Sequence, residues 1–158
     1  AKIFPKCEIL AFEPDRRNFC QFHANLFLNG LEDRVRVEPY AISASSGQAC
    51  FTRHEAENRG RSRVESGGGF VVETRRLDDL LEISGGCVAI KIDVEGHEYD
   101  VIAGATKLLT NNDVFLQIES FSSDRIEGQL AALGYRVTGR TGHDLTFERN
   151  RRDDGSRL

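Results

Sequence analysis

CVAIKIDVEGHEYDVI, residues 87–102, decides how this chain is read. Its opening, CVAIKID, is aliphatic and β-branched and predicts a buried strand. From Gly96 the apolar spacing becomes helical, with Val101, Ile102, Ala105, Leu108 and Leu109 on one face and a stop at Asn111–Asn112. Between strand and helix stand Asp93, Glu95, His97 and Glu98, with Lys91 just before them. A buried strand has no use for so many ionisable groups at one end, so the turn is a candidate site.

Working outward, VFLQIES (114–120) is a second buried strand ending in Glu119. SSDRIEGQLAALG predicts a helix with Ser122 or Ser123 as cap and Gly134 as terminator, and YRVTGR with HDLTFERN predicts a closing hairpin. On the N-terminal side, LDDLLEI is a short helix. EILAFE (8–13) is a strand ending in Glu13, and the helix after it starts near Asp15, carries Phe19, Phe22, Leu26 and Phe27 at helical spacing, and stops at Asn29–Gly30. RVRVEPYAIS (34–43) is read as one further strand. GQACFTR and FVVETRR flank a charged, glycine-rich stretch, so residues 46–76 read as a hairpin insertion with a mobile tip. The polar tail, 151–158, has nothing to bury and reads as disordered.

Strands alternating with helices predict a single α/β domain over residues 1–150 with a mainly parallel sheet. Three strands end in acid, at Glu13, Asp93 and Glu119. Ligands of open α/β sheets bind outside the carboxyl ends of the strands, so that rim is the expected site.

Composition narrows the function classes. A chain of 158 residues, 39% hydrophobic and 29% charged, suits one globular domain. A net charge of −4 without a basic stripe argues against a nucleic-acid partner. No apolar run reaches the roughly 20 residues a membrane span needs. Cys7, Cys20, Cys50 and Cys87 are far apart, with no C-x-x-C pair, so reduced cytoplasmic thiols are expected and a zinc site is not.

AFEPDRRNFCQFHANLFLNG, VEPYAIS, LDDLL, KIDVEGHEYDVIAGATKLL and FLQIES, in this order from Ile9 to Ser120, resemble the FkbM-type methyltransferases. KIDVEGHE followed by AGA is the most specific of these stretches. The resemblance implies a Rossmann-like class I methyltransferase fold, S-adenosylmethionine as cofactor, and methylation of a hydroxyl oxygen on a small molecule or glycan. It also places the family's first strand and glycine-rich turn ahead of Ile3, between the strands ending at Glu13 and Asp93, so the sequence is expected to be a fragment of a longer protein. Gly67–Gly68–Gly69 is no substitute, because it precedes a strand instead of joining a strand to a helix.

Roles follow from position. The resemblance places Glu13 where a carboxylate accepts hydrogen bonds from the cofactor's ribose hydroxyls, against a solvated strand-end acid as the plain alternative. The resemblance implies that the turn with Asp93 and Glu95 borders the transferred methyl and the acceptor hydroxyl, with Asp93 also counted among the cofactor-binding residues. Asp93, Glu95 and His97 are the candidate bases, because a base near an aliphatic hydroxyl helps it attack. Asp93 ranks first, and the alternative for His97 is a surface histidine at a helix start. Lys91 and Glu119 are candidate substrate contacts, or partners in a salt bridge. Glu98 is read as an acid favoured by the helix N-terminus, and His23, Asn18, Asn25 and Asn29 as packing, cap and turn residues. Arg53, His54, Arg59, Arg61 and Arg63 in the hairpin tip are read as a solvated loop, with steering of an anionic acceptor as the alternative. Two other functions compete: a non-catalytic Rossmann-like binding module, and an NAD-dependent oxidoreductase, whose ribose is also read by an acid after a strand.

Overall fold

In the stretch 87–92, Val88, Ile90 and Ile92 turn inward while Cys87, Ala89 and Lys91 are exposed. The computed structural model describes residues 6–53, 62–64, 69–121 and 123–149. The centre of the 46–76 tip with His54, Arg59 and Arg61, the glycines at 67 and 68, Ser122 and the tail 151–158 lie outside the described residues.

Strand β1 (Ile9–Phe12) leads into helix α1 (Arg16–Leu28), then β2 (Val35–Glu38) and β3 (Ala41–Ile42). The insertion holds β4 (Gly47–Arg53), β5 (Ser62–Val64) and β6 (Phe70–Arg75), followed by α2 (Leu77–Leu80). Strand β7 (Cys87–Ile92), α3 (Glu98–Ala103), α4 (Thr106–Asn111), β8 (Asp113–Glu119), α5 (Ser123–Ala132), β9 (Tyr135–Thr141) and β10 (Asp144–Arg149) complete the order.

Among the described residues the strands form three sheets, β1–β2, β7–β8–β10–β9 and β3–β6–β4–β5. Pairing is parallel in β1–β2, β7–β8 and β3–β6 and antiparallel elsewhere, so the α/β fold is mixed and not mainly parallel. The expected closing hairpin is β9–β10, with β10 inserted beside β8. β1 and β7 are not hydrogen-bonded to each other and sit in separate sheets.

The main core lies between one face of the β7–β8–β10–β9 sheet and the helices. Leu116, Ile118, Ile102 and Leu130 are fully buried, with Phe147, Leu109 and Val101 beside them. Each such side chain contributes about 1.5–3 kcal/mol. Asn112 ends α4 by accepting from the Gly86 amide and donating to the carbonyls of Ile83 and Leu108, all at 2.8–2.9 Å.

Three expectations are corrected. The 34–43 strand divides at Pro39–Tyr40, because Pro39 offers no amide to a ladder, and β3 turns away to pair with β6. The 46–76 hairpin is the centre of a four-stranded sheet, with β5 added along β4 and a small core of Ala41, Phe51 and Val72. The single helix after Gly96 is two helices. At Gly104 a Cβ would lie 2.0 Å from the Ser43 carbonyl oxygen, and the Gly104 carbonyl accepts from the Asp78 amide at 2.9 Å instead of continuing the helix. Asp78 then caps α4 through space, its carboxylate accepting from the amides of Lys107 (3.0 Å) and Leu108 (2.9 Å).

Candidate active site

Glu13 follows β1 directly. Its amide donates to the Glu38 carbonyl at 3.0 Å, and its Oε1 accepts from the Asp15 amide at 2.8 Å. Asp15, almost fully buried, uses Oδ1 to accept from the Arg17 amide at 2.8 Å and is the cap of α1. Helix capping therefore falls to Asp15, while Glu13 is oriented by the backbone beside it. Burial pushes the Glu13 carboxyl up, and the Asp15 amide and the Asn18 side chain pull it partly back.

Asp93 leaves β7 and meets Lys91, with Nζ to Oδ2 at 3.0 Å. Both side chains are about half exposed, 54% and 44%, so the pair contributes under about 1 kcal/mol to stability. That hydrogen bond holds the Lys91 ammonium above its usual range, with Asp144 and Glu119 adding to it. Lys91 lies opposite Gln117, and Glu119 opposite Asp144. Paired residues share a sheet face, so Lys91, Gln117, Glu119 and Asp144 gather on the face opposite the core. Gln117 Nε2 also donates to Asp144 Oδ1 at 3.0 Å.

The turn after Asp93 is strained. Glu95 has φ +51, a left-handed conformation that costs a non-glycine residue roughly 1–2 kcal/mol, and Gly96 follows at φ +97. The turn is held by Glu98, which is buried and whose Oε1 accepts from the Gly96 amide at 2.7 Å. Glu98 is thus a structural residue of this turn.

His97 is not the surface histidine of the plain alternative. Its side chain is only 17% exposed. Nε2 lies 3.1 Å from Ser43 Oγ, in the segment after β3, and Nδ1 lies 3.3 Å from Asp100 Oδ2, one turn along α3. Asp100 stands at a spacing of three from His97 and was open to a sequence reading; Ser43, Gln117 and Asp144 carried no local signal. Lys91, Asp93, Glu119 and Asp144 are thus brought together, His97 joins Ser43 and Asp100, and Glu13 is held separately at the end of β1.

The chain is 32% identical to the 2-O-methyltransferase NoeI of Sinorhizobium fredii, over 82% of this chain and 60% of that protein. It is also 32% identical to the hexuronic acid methyltransferase AglP of Haloferax volcanii, over 73% of this chain and 48% of that one. It therefore spans only about half to three fifths of these relatives' length. The crystal structure of methyltransferase FkbM from Methylobacillus flagellatus KT has the same fold, with a TM-score of 0.60 at 15% identity over 89% of this chain and 36% of that one. The methyltransferase FkbM domain matches residues 1–137 of the 158, and the chain belongs to that family.

Proposed function

We propose that this chain is part of an S-adenosylmethionine-dependent O-methyltransferase that acts on a hydroxyl of a sugar or a similar small molecule. The observation that carries the reading is the turn after β7, where a left-handed Glu95 and a partly buried, partnered His97 follow a parallel strand that leads into Asp93. Strain of this kind persists where the surrounding structure enforces it, and it clusters at functional sites. The two relatives, one named for 2-O-methylation and one for hexuronic acid, support a sugar hydroxyl as acceptor.

The residues present fit the cofactor's ribose end. Glu13 offers a part-buried carboxylate at a strand end, already oriented by the Asp15 amide, and a carboxylate suits a vicinal diol. When bound, the cofactor supplies a methyl group on a sulfonium for in-line displacement. Asp93 borders that methyl end, Glu95 sets the shape of the turn, and His97 is the base that drives deprotonation of the acceptor. This reverses the order expected from sequence, because Asp93 is engaged by Lys91 whereas the His97 ring is held from both sides. Lys91 and Glu119 face the acceptor. Four free, exposed cysteines fit a reducing, cytoplasmic setting.

The test is transfer of labelled methyl from S-adenosylmethionine to a panel of methyl glycosides, with binding of S-adenosylhomocysteine measured by calorimetry. Glu13→Ala should weaken that binding about tenfold, the loss of one charge-assisted hydrogen bond. Unchanged binding removes Glu13 from the site. Binding of NAD in place of S-adenosylhomocysteine turns the reading to an oxidoreductase, and binding without transfer turns it to a binding module.

A further inference from the structure

Ser43, His97 and Asp100 form a continuous line of polar atoms, with Ser43 Oγ 3.1 Å from Nε2 and Asp100 Oδ2 3.3 Å from Nδ1. We propose that this line is a proton relay for the methyl transfer: Ser43 meets the acceptor hydroxyl, His97 takes the proton, and Asp100 is the positioning residue that sets the imidazole. The proposal rests on the O-methyltransferase reading above.

An ionised carboxylate only accepts, so in the relay Asp100, 3.3 Å from Nδ1, favours the ring proton on that nitrogen. The neutral imidazole then presents a lone pair at Nε2, and the Ser43 hydroxyl must donate to it. That leaves the Ser43 oxygen with lone pairs for another donor, and Ser43 is partly exposed. The geometry is held at both ends of α3. His97 opens the helix, and at its far end Gly104 leaves room for the Ser43 carbonyl, where a Cβ would come within 2.0 Å. A purely structural cross-link between the Ser43 segment and α3 would need only the Nε2 contact. The second contact, to an Asp100 side chain that is 46% exposed, adds little stability but selects the tautomer.

The step balances. The acceptor oxygen bonds to the methyl carbon as the carbon–sulfur bond breaks, and the electron pair of that bond neutralises the sulfonium. The acceptor's proton passes to Ser43 Oγ while the Ser43 proton passes to Nε2. The Asp100 carboxylate stays ionised beside the imidazolium, which afterwards releases its proton to water.

Nitrogen-15 NMR of histidine-labelled full chain, with His97 assigned from its loss in His97→Gln, tests the tautomer without cofactor. The expected result is an Nδ1–H tautomer that shifts toward Nε2–H in Asp100→Asn. An Nε2–H tautomer in the unmodified protein overturns the relay. In steady-state transfer, Ser43→Ala and Asp100→Asn should each lower kcat at least tenfold with acceptor KM within about twofold, and Ser43→Thr, which keeps the hydroxyl, should restore kcat. Unchanged kcat in Ser43→Ala overturns the relay while leaving the methyltransferase reading in place. Absence of transfer from the unmodified protein sinks that reading instead, and the tautomer still decides whether Asp100 sets the ring.

Discussion

The sheet containing β7 and β8 and the segment containing α1 have similar apolar content but use it differently. On the first, Leu116, Ile118 and Phe147 are at most 1% exposed, and α3, α4 and α5 cover the sheet face. On α1 only Leu26 is buried, while Phe27 is 70% and Leu28 79% exposed. The helical spacing of Phe19, Phe22, Leu26 and Phe27 is present in both sequence and structure, yet it does not produce a buried stripe. Periodicity states which residues share a face; burial requires a second element to cover that face.

The largest test of this contrast is Leu116→Ala, which empties a fully enclosed site and should cost about 3–4 kcal/mol in chemical denaturation. A loss below about 1 kcal/mol would mean that the core between the sheet and α3–α5 is loosely packed.

Asp78→Ala comes next. It uncaps two amides of α4 and leaves Arg76 without the partner 3.3 Å away, so a loss of about 2–3 kcal/mol is expected. Asp79, whose carboxylate accepts from the Ser46 hydroxyl at the surface, is the internal control, and Asp79→Ala should stay within about 0.5 kcal/mol. Equal effects at the two positions would remove the through-space cap.

On the α1 side, Phe27→Ser should leave stability within about 0.5 kcal/mol, since the side chain is already in solvent. A marked loss would show that α1 is covered in solution.

The smallest expected effect is at Glu13. Its carboxyl is raised by burial, so the folded state binds its proton more readily than the unfolded chain. Stability from this group is therefore greatest at low pH and falls as pH rises from the ordinary value of 4.5 through the raised one. Glu13→Gln keeps the acceptor for the Asp15 amide and removes the charge. At pH 7 it should be slightly more stable than the parent, by less than about 0.5 kcal/mol given solvent screening, with the gain gone below pH 4.5. A variant less stable at pH 7 than at pH 4 relative to the parent would contradict the sign.

By itself the sequence determined what neighbours along the chain can decide. The aliphatic alternation around residue 90 makes β7, Asp15 supplies the cap two residues before the amide it accepts, Gly134 and Asn29–Gly30 end their helices, and the KIDVEGHE turn marks the site. These features rest on dihedral preferences and hydrogen bonds that act over a few residues. Tertiary structure alone decided the contacts that close over long separations. Ser43 reaches His97 across 54 positions, Asp78 caps a helix 30 residues ahead, and one expected helix is two where Gly104 leaves room for the Ser43 backbone and gives its carbonyl to the Asp78 amide. No local preference specifies such partners, because each contact forms only once separate elements have packed and brought a donor, an acceptor or a missing Cβ into the same place.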